Sequence, residues 1–307
     1  MLRDKRDRNY IRLATQAEHQ FTDRRRYCKK ACFVLAGYKS FVYDDVFGRL
    51  KRFVPKDVDV CILSSGMYSE ELAEIAERNN WSYLSTGVNC VTLILNVAML
   101  KFEDADYIYK VDEDIFLTEG SFEKLLDTYE RVEAEGDYHV GFVAPLIPIN
   151  GYGHLRILRK LGLEHVYTER FERPIFASYP ERLVQSSADV ARFFWGEGGY
   201  IPSIDEMNKR FAAEGFAYSA CPVRFSIGFI LMKRETWKDM GMFKVIPDNV
   251  CLGIDEDQLC EFCIVNSRTI IVSENTVVGH LSFGPQNAAM KEYYGEHKGI
   301  FACPKLT

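Results

Sequence analysis

Two carboxylates one residue apart, Asp112 and Asp114, follow the apolar run 107–111 (YIYKV). Along a strand alternate side chains share a face, so this spacing projects Asp112 and Asp114 together and turns Glu113 away. Convergent carboxylate oxygens at a strand end suit a hard divalent cation such as Mg2+ or Mn2+, with coordination positions left over for phosphate oxygens. A solvated acidic turn would carry the same triplet. A second triplet, Asp255-Glu256-Asp257, opens a segment in which Leu259, Phe262 and Cys263 keep helical spacing. Carboxylates in a first helical turn complement the helix dipole, and a carboxylate there can also accept a proton. His280 ends the last apolar strand of the chain. An imidazole in that place is either structural or a ligand.

The hydrophobic pattern names the elements that must hold these groups. Residues 31–36 (ACFVLA) and 58–63 (VDVCIL) read as buried strands, stopped at Gly37 and at Ser64-Ser65-Gly66. Ser69 caps a helix running to about Asn79, and 81–85 is a short strand. Residues 89 to about 102 form a helix that is apolar nearly all round, except for Thr92 and Asn96, which share one face. Polar groups in a buried helix need partners, from the backbone or from a ligand. Residues 107–111 then make the strand leading into Asp112, 122–132 a helix, and 139–145 a further strand. Residues 151–224 are aromatic-rich and broken by glycines, with helices near 155–160 and 204–213, and read as an insertion elaborating a site. Regular alternation returns with a strand at 225–232, interrupted by Gly228, and a helix at 235–240. A loop holding Pro247 leads to the helix 255–265, followed by strands at 269–272 and 276–280. This alternation predicts an α/β fold with a mainly parallel sheet covered on both faces, in which ligands bind beyond the carboxyl ends of the strands. Asp112 and Asp114 stand at such an end.

The chain has 307 residues, 47% hydrophobic and 27% charged, which places it among globular proteins. No apolar run approaches the roughly 20 residues that span a bilayer, and the first residues lack a signal-peptide core, so a cytoplasmic location is expected. Nine cysteines lie mostly within apolar stretches, as buried reduced thiols do, and Cys260-x-x-Cys263 has no second pair to complete a zinc site. Residues 1–30 carry ten Lys and Arg against four Asp and Glu, so the remaining 277 residues hold a net charge of minus twelve. An acidic body argues against nucleic acid, whereas the leader could touch an anionic membrane surface. The organisation expected is a basic arm at 1–30, a core at 31–285 containing the insertion, and a tail at 286–307. Neither a dinucleotide-binding nor a P-loop glycine pattern occurs.

Taken in order, 62–69 (ILSSGMYS), Asn89 and Asn96, 107–116 (YIYKVDEDIF), 226–229 (SIGF), 255–260 (DEDQLC) and 278–280 (VGH) resemble GT-A-fold glycosyltransferases, particularly those like family 2. The likeness covers about 31–145 and 225–281. It implies a Rossmann-like GT-A sheet, a nucleotide-sugar donor of UDP or GDP type, and a divalent metal, Mn2+ or Mg2+, held by Asp112, Asp114 and His280. It places the catalytic base within Asp255, Glu256 and Asp257, where the order Glu-Asp favours Glu256-Asp257 and the helix register through Leu259 favours Asp255-Glu256, with Asp257 ranked first, and it places a glycine loop near the acceptor at Gly228. Ser64-Ser65 stands where the family usually carries an acidic residue. On this reading Tyr38, Ser65, Thr92, Asn96 and Asp112 face the donor, while Trp195, Arg224 and Gly228 face a glycan, lipid-linked or protein acceptor. One base opposite the leaving group implies a single in-line displacement with inversion. A sugar-1-phosphate nucleotidyltransferase would carry a loop rich in Gly, Arg and Lys after the first strand, and 36–41 (AGYKSF) supplies little of it. A non-catalytic nucleotide-sugar-binding protein of the same fold would have no need of both acidic triplets and His280.

Overall fold

The computed structural model describes residues 2–245 and 253–304, so the loop around Pro247 and Cys251 lies outside the described residues. In chain order the strands are β1 (His19–Thr22), β2 (Lys30–Leu35), β3 (Val58–Ser65), β4 (Ser82–Thr86), β5 (Tyr107–Asp112), β6 (Ile115–Phe116), β7 (Val140–Leu146), β8 (Tyr218–Ala220), β9 (Phe229–Lys233), β10 (Thr269–Val277) and β11 (Gly279–His280). The chain divides into two compact units interleaved in sequence. Met1–Ser40, Val54–Glu113 and Phe229–Arg268 form the first, and Phe41–Phe53, Asp114–Gly228 and Thr269–Thr307 the second.

The sheet of the first unit runs β1-β4-β3-β2-β5-β9. Its four central strands, β4, β3, β2 and β5, are parallel, and β1 and β9 close the two sides antiparallel. Every position of β3 is buried, which is why it reads as a continuous apolar run rather than an alternating one. The helix Val91–Lys101 is buried from Thr92 to Met99, as its all-round apolar character requires. After β3 the chain turns through Gly66 at φ +78°, where an added Cβ would lie 2.5 Å from that of Asn89, so only glycine admits this approach.

The first 30 residues are not a detachable arm. Leu2–Gln16 is a helix with Ala14 buried, and β1 pairs with β4 from His19↔Thr86 to Thr22↔Tyr83. Asp59, buried on β3, accepts the backbone N–H groups of Arg26 and Cys28 and pairs with the Arg26 guanidinium at 3.1 Å. Charge counting sees the arginines and not this pairing, because β1 is only four residues long and alternates in burial. No helix among the described residues is long and apolar enough to cross a membrane.

In the second unit β10 pairs parallel with β7 and antiparallel with β8, and β6 and β11 form a separate two-stranded ribbon. The two strands expected over 269–280 are one long strand whose register shifts between Ser273 and Val277, plus the ribbon strand β11. At that irregularity the Ser273 hydroxyl meets Thr128 at 2.9 Å, and Thr276 donates to the Asn208 side chain at 3.1 Å. The strand expected to start at 225 begins at Phe229, because 225–228 is loop. A helix the pattern does not announce, Tyr43–Phe53, carries the fully buried Arg49. Its guanidinium pairs with Asp205 at 2.8 Å and donates to the carbonyls of Leu117, Phe301 and Ala302. The expected tail is therefore part of this unit, with a helix at Asn287–Glu296 and Phe301 buried. Within 151–224, the buried Tyr167, Phe193 and Phe194 and the half-buried Phe171 meet in tilted and edge-on ring contacts and build core.

His154 supplies a pH test of this core. It is buried on the helix Gly153–Leu161, with Nδ1 2.8 Å from the Asn150 carbonyl. Burial holds its pKa down at about 4, against an ordinary 6.5. The unfolded chain therefore binds a proton that the folded one refuses. His154 costs no stability above pH 6.5, and its penalty grows by about 1.4 kcal/mol per pH unit as pH falls toward 4. Urea titrations at pH 7 and pH 5 should show this loss, and His154→Gln should reduce it by that amount; an unchanged pH dependence in the variant would contradict the assignment.

Candidate functional site

Strand β5 delivers its last residue, Asp112, beside Leu35 of β2. There the strand ends, and Glu113-Asp114 form a turn. Strand alternation consequently does not extend to Asp114, and the expectation that Glu113 points away is corrected. Glu113 is buried, and its carboxylate accepts the backbone N–H groups of Gly37 at 2.8 Å and Tyr38 at 2.9 Å. It thereby fixes the loop after β2. Tyr38 in that loop is 64% exposed, with its hydroxyl donating to the Ser65 carbonyl at 3.1 Å.

Two positions before Asp112, on the same strand face, lies a residue that sequence reasoning passed over. Lys110 is buried, with Nζ 2.7 Å from Asp112 Oδ1 and 3.5 Å from Asp255 Oδ2. Burial would push the ammonium pKa down, but Asp112 and Asp255, with Glu256 behind them, outweigh it and raise the pKa. Lys110 thus links the two acidic motifs. The available signal was a lysine inside a parallel strand run, since such a charge is buried only when paired.

The second triplet opens the helix Ile254–Val265, as expected. Its register turns Asp255 inward, 5% exposed, and leaves Glu256 half-buried and Asp257 exposed. The register thus separates the three carboxylates by exposure, with Asp255 on the inward face that continues through Leu259 and Cys263.

The helix Val91–Lys101 corrects two donor-side expectations. Asn96 is fully buried, its Oδ1 accepting from Trp237 Nε1 at 2.9 Å and Phe243 N at 3.0 Å, and its Nδ2 donating to the Phe243 carbonyl at 2.8 Å. Its amide is spent on tying this helix to 237–243. Thr92 is buried with its hydroxyl 3.3 Å from Cys90 Sγ. The Ser65 hydroxyl is likewise engaged, accepting from Cys90 N at 2.7 Å. Of the donor-side candidates, Tyr38 and Asp112 keep accessible side chains, the latter about one-third exposed at 34%.

In the second unit the ribbon pairs His280 with Ile115, and Leu281 N donates to the Asp114 carbonyl at 3.0 Å. That pairing brings His280 Nε2 to 3.5 Å from Asp114 Oδ2, with both residues buried. On its other side, His280 Nδ1 lies 3.2 Å from the Ile149 carbonyl. A carbonyl can only accept, so Nδ1 carries a hydrogen, and Nε2 is the ring nitrogen that faces Asp114. An imidazole nitrogen and a carboxylate oxygen are both donor types that a divalent cation takes. Among the described residues no group of three or more His, Cys, Asp or Glu gathers in a metal-binding arrangement. The Asp114–His280 pair fits part of a coordination shell, the remainder of which other oxygens would fill.

The acceptor-side candidates divide. Trp195 is 7% exposed, packed against Phe116 and Phe301, with its indole N–H donating to the His280 carbonyl at 3.2 Å. A ring enclosed in this way offers no free face to a sugar, which corrects the stacking role. Arg224 is half-buried, and Gly228 is buried in the loop preceding β9.

No family model matches the sequence, and no curated protein matches it. Solved structures similar to the chain include mannosyltransferase PcManGT from Pyrobaculum calidifontis in complex with GDP-Man and Mn2+. That match has 12% identity and a TM-score of 0.46, over 94% of this chain and 68% of that one. Another is glucosyl-3-phosphoglycerate synthase from Mycobacterium tuberculosis with Mn2+, UDP-glucose and phosphoglyceric acid, at 10% identity and a TM-score of 0.46, over 97% of this chain and 85% of that one. Similarity at this level assigns no activity to the chain.

Asn96 tests the division between structural and ligand-facing groups. Asn96→Ala leaves the Trp237 indole and the Phe243 amide without their acceptor, which should cost about 2–4 kcal/mol of stability in urea unfolding. Nucleotide affinity of the folded variant should stay within about twofold of wild type on titration. A tenfold weaker nucleotide affinity at unchanged stability would return Asn96 to the donor side.

Proposed function

We propose that the chain is a metal-dependent GT-A-type glycosyltransferase that moves a sugar from a nucleotide-diphosphate donor to an acceptor hydroxyl with inversion. The observation that carries this reading is the Asp114–His280 pair, in which Nε2 faces the carboxylate at 3.5 Å and Nδ1 faces the Ile149 carbonyl. Asp114 and His280 would hold Mn2+ or Mg2+, and the imidazole favours Mn2+ because it is softer than oxygen. Bound there, the cation would neutralise the charge that develops on the departing nucleoside diphosphate.

The chain's own residues supply the rest. Lys110 holds one Asp112 oxygen, which fixes the carboxylate at the end of β5. Glu113 holds the backbone of Gly37 and Tyr38, so the exposed Tyr38 ring is presented from a fixed loop and can pack on the donor base. One of Asp255 and Glu256, ahead of the exposed Asp257, accepts the proton of the acceptor hydroxyl as it attacks. Attack from the side opposite the diphosphate inverts the anomeric carbon. Arg224 and the loop at Gly228 are assigned to the acceptor.

Calorimetric titration of Mn2+ in the presence of UDP or GDP tests the metal reading. Asp114→Asn and His280→Ala should each weaken Mn2+ binding by tenfold or more, and excess chelator should abolish sugar transfer. Unaltered metal binding in both variants, or release of pyrophosphate from a nucleoside triphosphate and a sugar 1-phosphate, would contradict it.

The base is found by amide replacement. One of Asp255→Asn and Glu256→Gln should lose about a hundredfold in turnover, the scale of a missing general base, with donor affinity nearly intact. Asp257→Asn should stay within a few-fold of wild type. A hundredfold loss confined to Asp257→Asn would restore the exposed residue to that role.

A further inference from the structure

We infer that Trp195 is a positioning residue for His280, setting the direction of its Nε2 from the backbone side; this rests on the metal reading above. Strand β11 is two residues long and pairs with an equally short β6. A two-residue ribbon is too weak to fix a side chain by its own ladder, so its geometry must come from what surrounds it. Trp195 supplies two such restraints together. Its indole N–H donates to the His280 carbonyl at 3.2 Å. Its ring also lies so close to Gly279 that an added Cβ there would be 2.4 Å from Cη2. Glycine at 279 is the condition for the ring to reach the strand.

Trp195 is itself held. It caps the C-terminus of the helix Ala188–Phe194, with its backbone N–H on the Ala191 and Arg192 carbonyls, and its ring is wedged between Phe116 and Phe301. Phe116 sits opposite Gly279 in the ribbon, so the same ring touches both ribbon strands. On the imidazole side, the Ile149 carbonyl meets Nδ1 and the Phe283 ring stands at 88° to the imidazole, 4.8 Å away. Backbone and ring of His280 are thus fixed by separate groups. Partners of a ligating imidazole's second nitrogen typically govern 10–100-fold in metal affinity, and Trp195 places the backbone from which that imidazole is presented. The aromatic content of 151–224 accordingly contributes a clamp on the ligand strand.

Trp195→Phe keeps a ring of comparable placement and removes the donor, and Gly279→Ala keeps the donor and displaces the ring. Free Mn2+ measured by electron paramagnetic resonance, well below the melting temperature of each variant, should show affinity weakened about tenfold or more in both. A packing role alone would lower the melting temperature and leave the Mn2+ affinity of the folded protein unchanged, and that result overturns the inference. The wild-type protein gives an arm that needs no variant to fold. The assigned Trp195 indole N–H resonance should broaden with substoichiometric Mn2+ and stay sharp with Mg2+, and an indole unaffected by bound Mn2+ also overturns it. Failure of wild type to bind Mn2+ at all overturns the metal reading and this inference with it, whereas tight wild-type binding matched by both variants overturns the inference alone.

Discussion

Burying a charge costs more than any single hydrogen bond returns, and residues 110–114 bury three of them: Lys110, Glu113 and Asp114. Each is settled differently. Lys110 lies between the Asp112 and Asp255 carboxylates. Glu113 takes two backbone N–H groups from the loop after β2. Asp114 meets the imidazole of His280. Within the first unit the β2 loop and the start of the helix Ile254–Val265 are therefore each tied to 110–113 by a buried charge, and within the second the ribbon meets Asp114. Removing one member of such a buried pair is more disruptive than losing a surface pair.

This explains which parts of the site the sequence could disclose. The parallel strands β2, β3 and β5 were legible because strands buried on both faces are written as apolar runs, and the helix Val91–Lys101 for the same reason. The acidic triplets were legible as motifs. Their orientations were not. A period-two rule placed Asp114 beside Asp112 and sent Glu113 away, but the strand stops at Asp112 and the rule stops with it. At the second triplet residue order favours Glu256-Asp257 and helix register favours Asp255-Glu256, and in the helix it is Asp255 that faces inward.

Long-range partners account for the remaining differences. Nothing local in residues 19–22 announces that they complete a sheet edge against β4, and nothing in 43–53 announces a helix whose Arg49 reaches residues some 250 positions later, at Phe301 and Ala302. Asn96 and Trp195 were both read as ligand-facing because polar and aromatic side chains in such places often are. In each case the polar atom had already found a partner distant in sequence, the backbone and indole at 237–243 for Asn96 and the His280 carbonyl for Trp195. An isolated residue type carries no record of such a partner.

The central claim is that Asp114 and His280 share a divalent cation. The most direct measurement is a crystal soaked with Mn2+ and UDP or GDP, with diffraction recorded near the manganese absorption edge. The account predicts an anomalous peak within about 2.5 Å of both His280 Nε2 and an Asp114 carboxylate oxygen, with diphosphate oxygens completing its shell. A bound nucleotide whose manganese lies away from this pair, with Asp114 and His280 still facing each other as they do without metal, would contradict it.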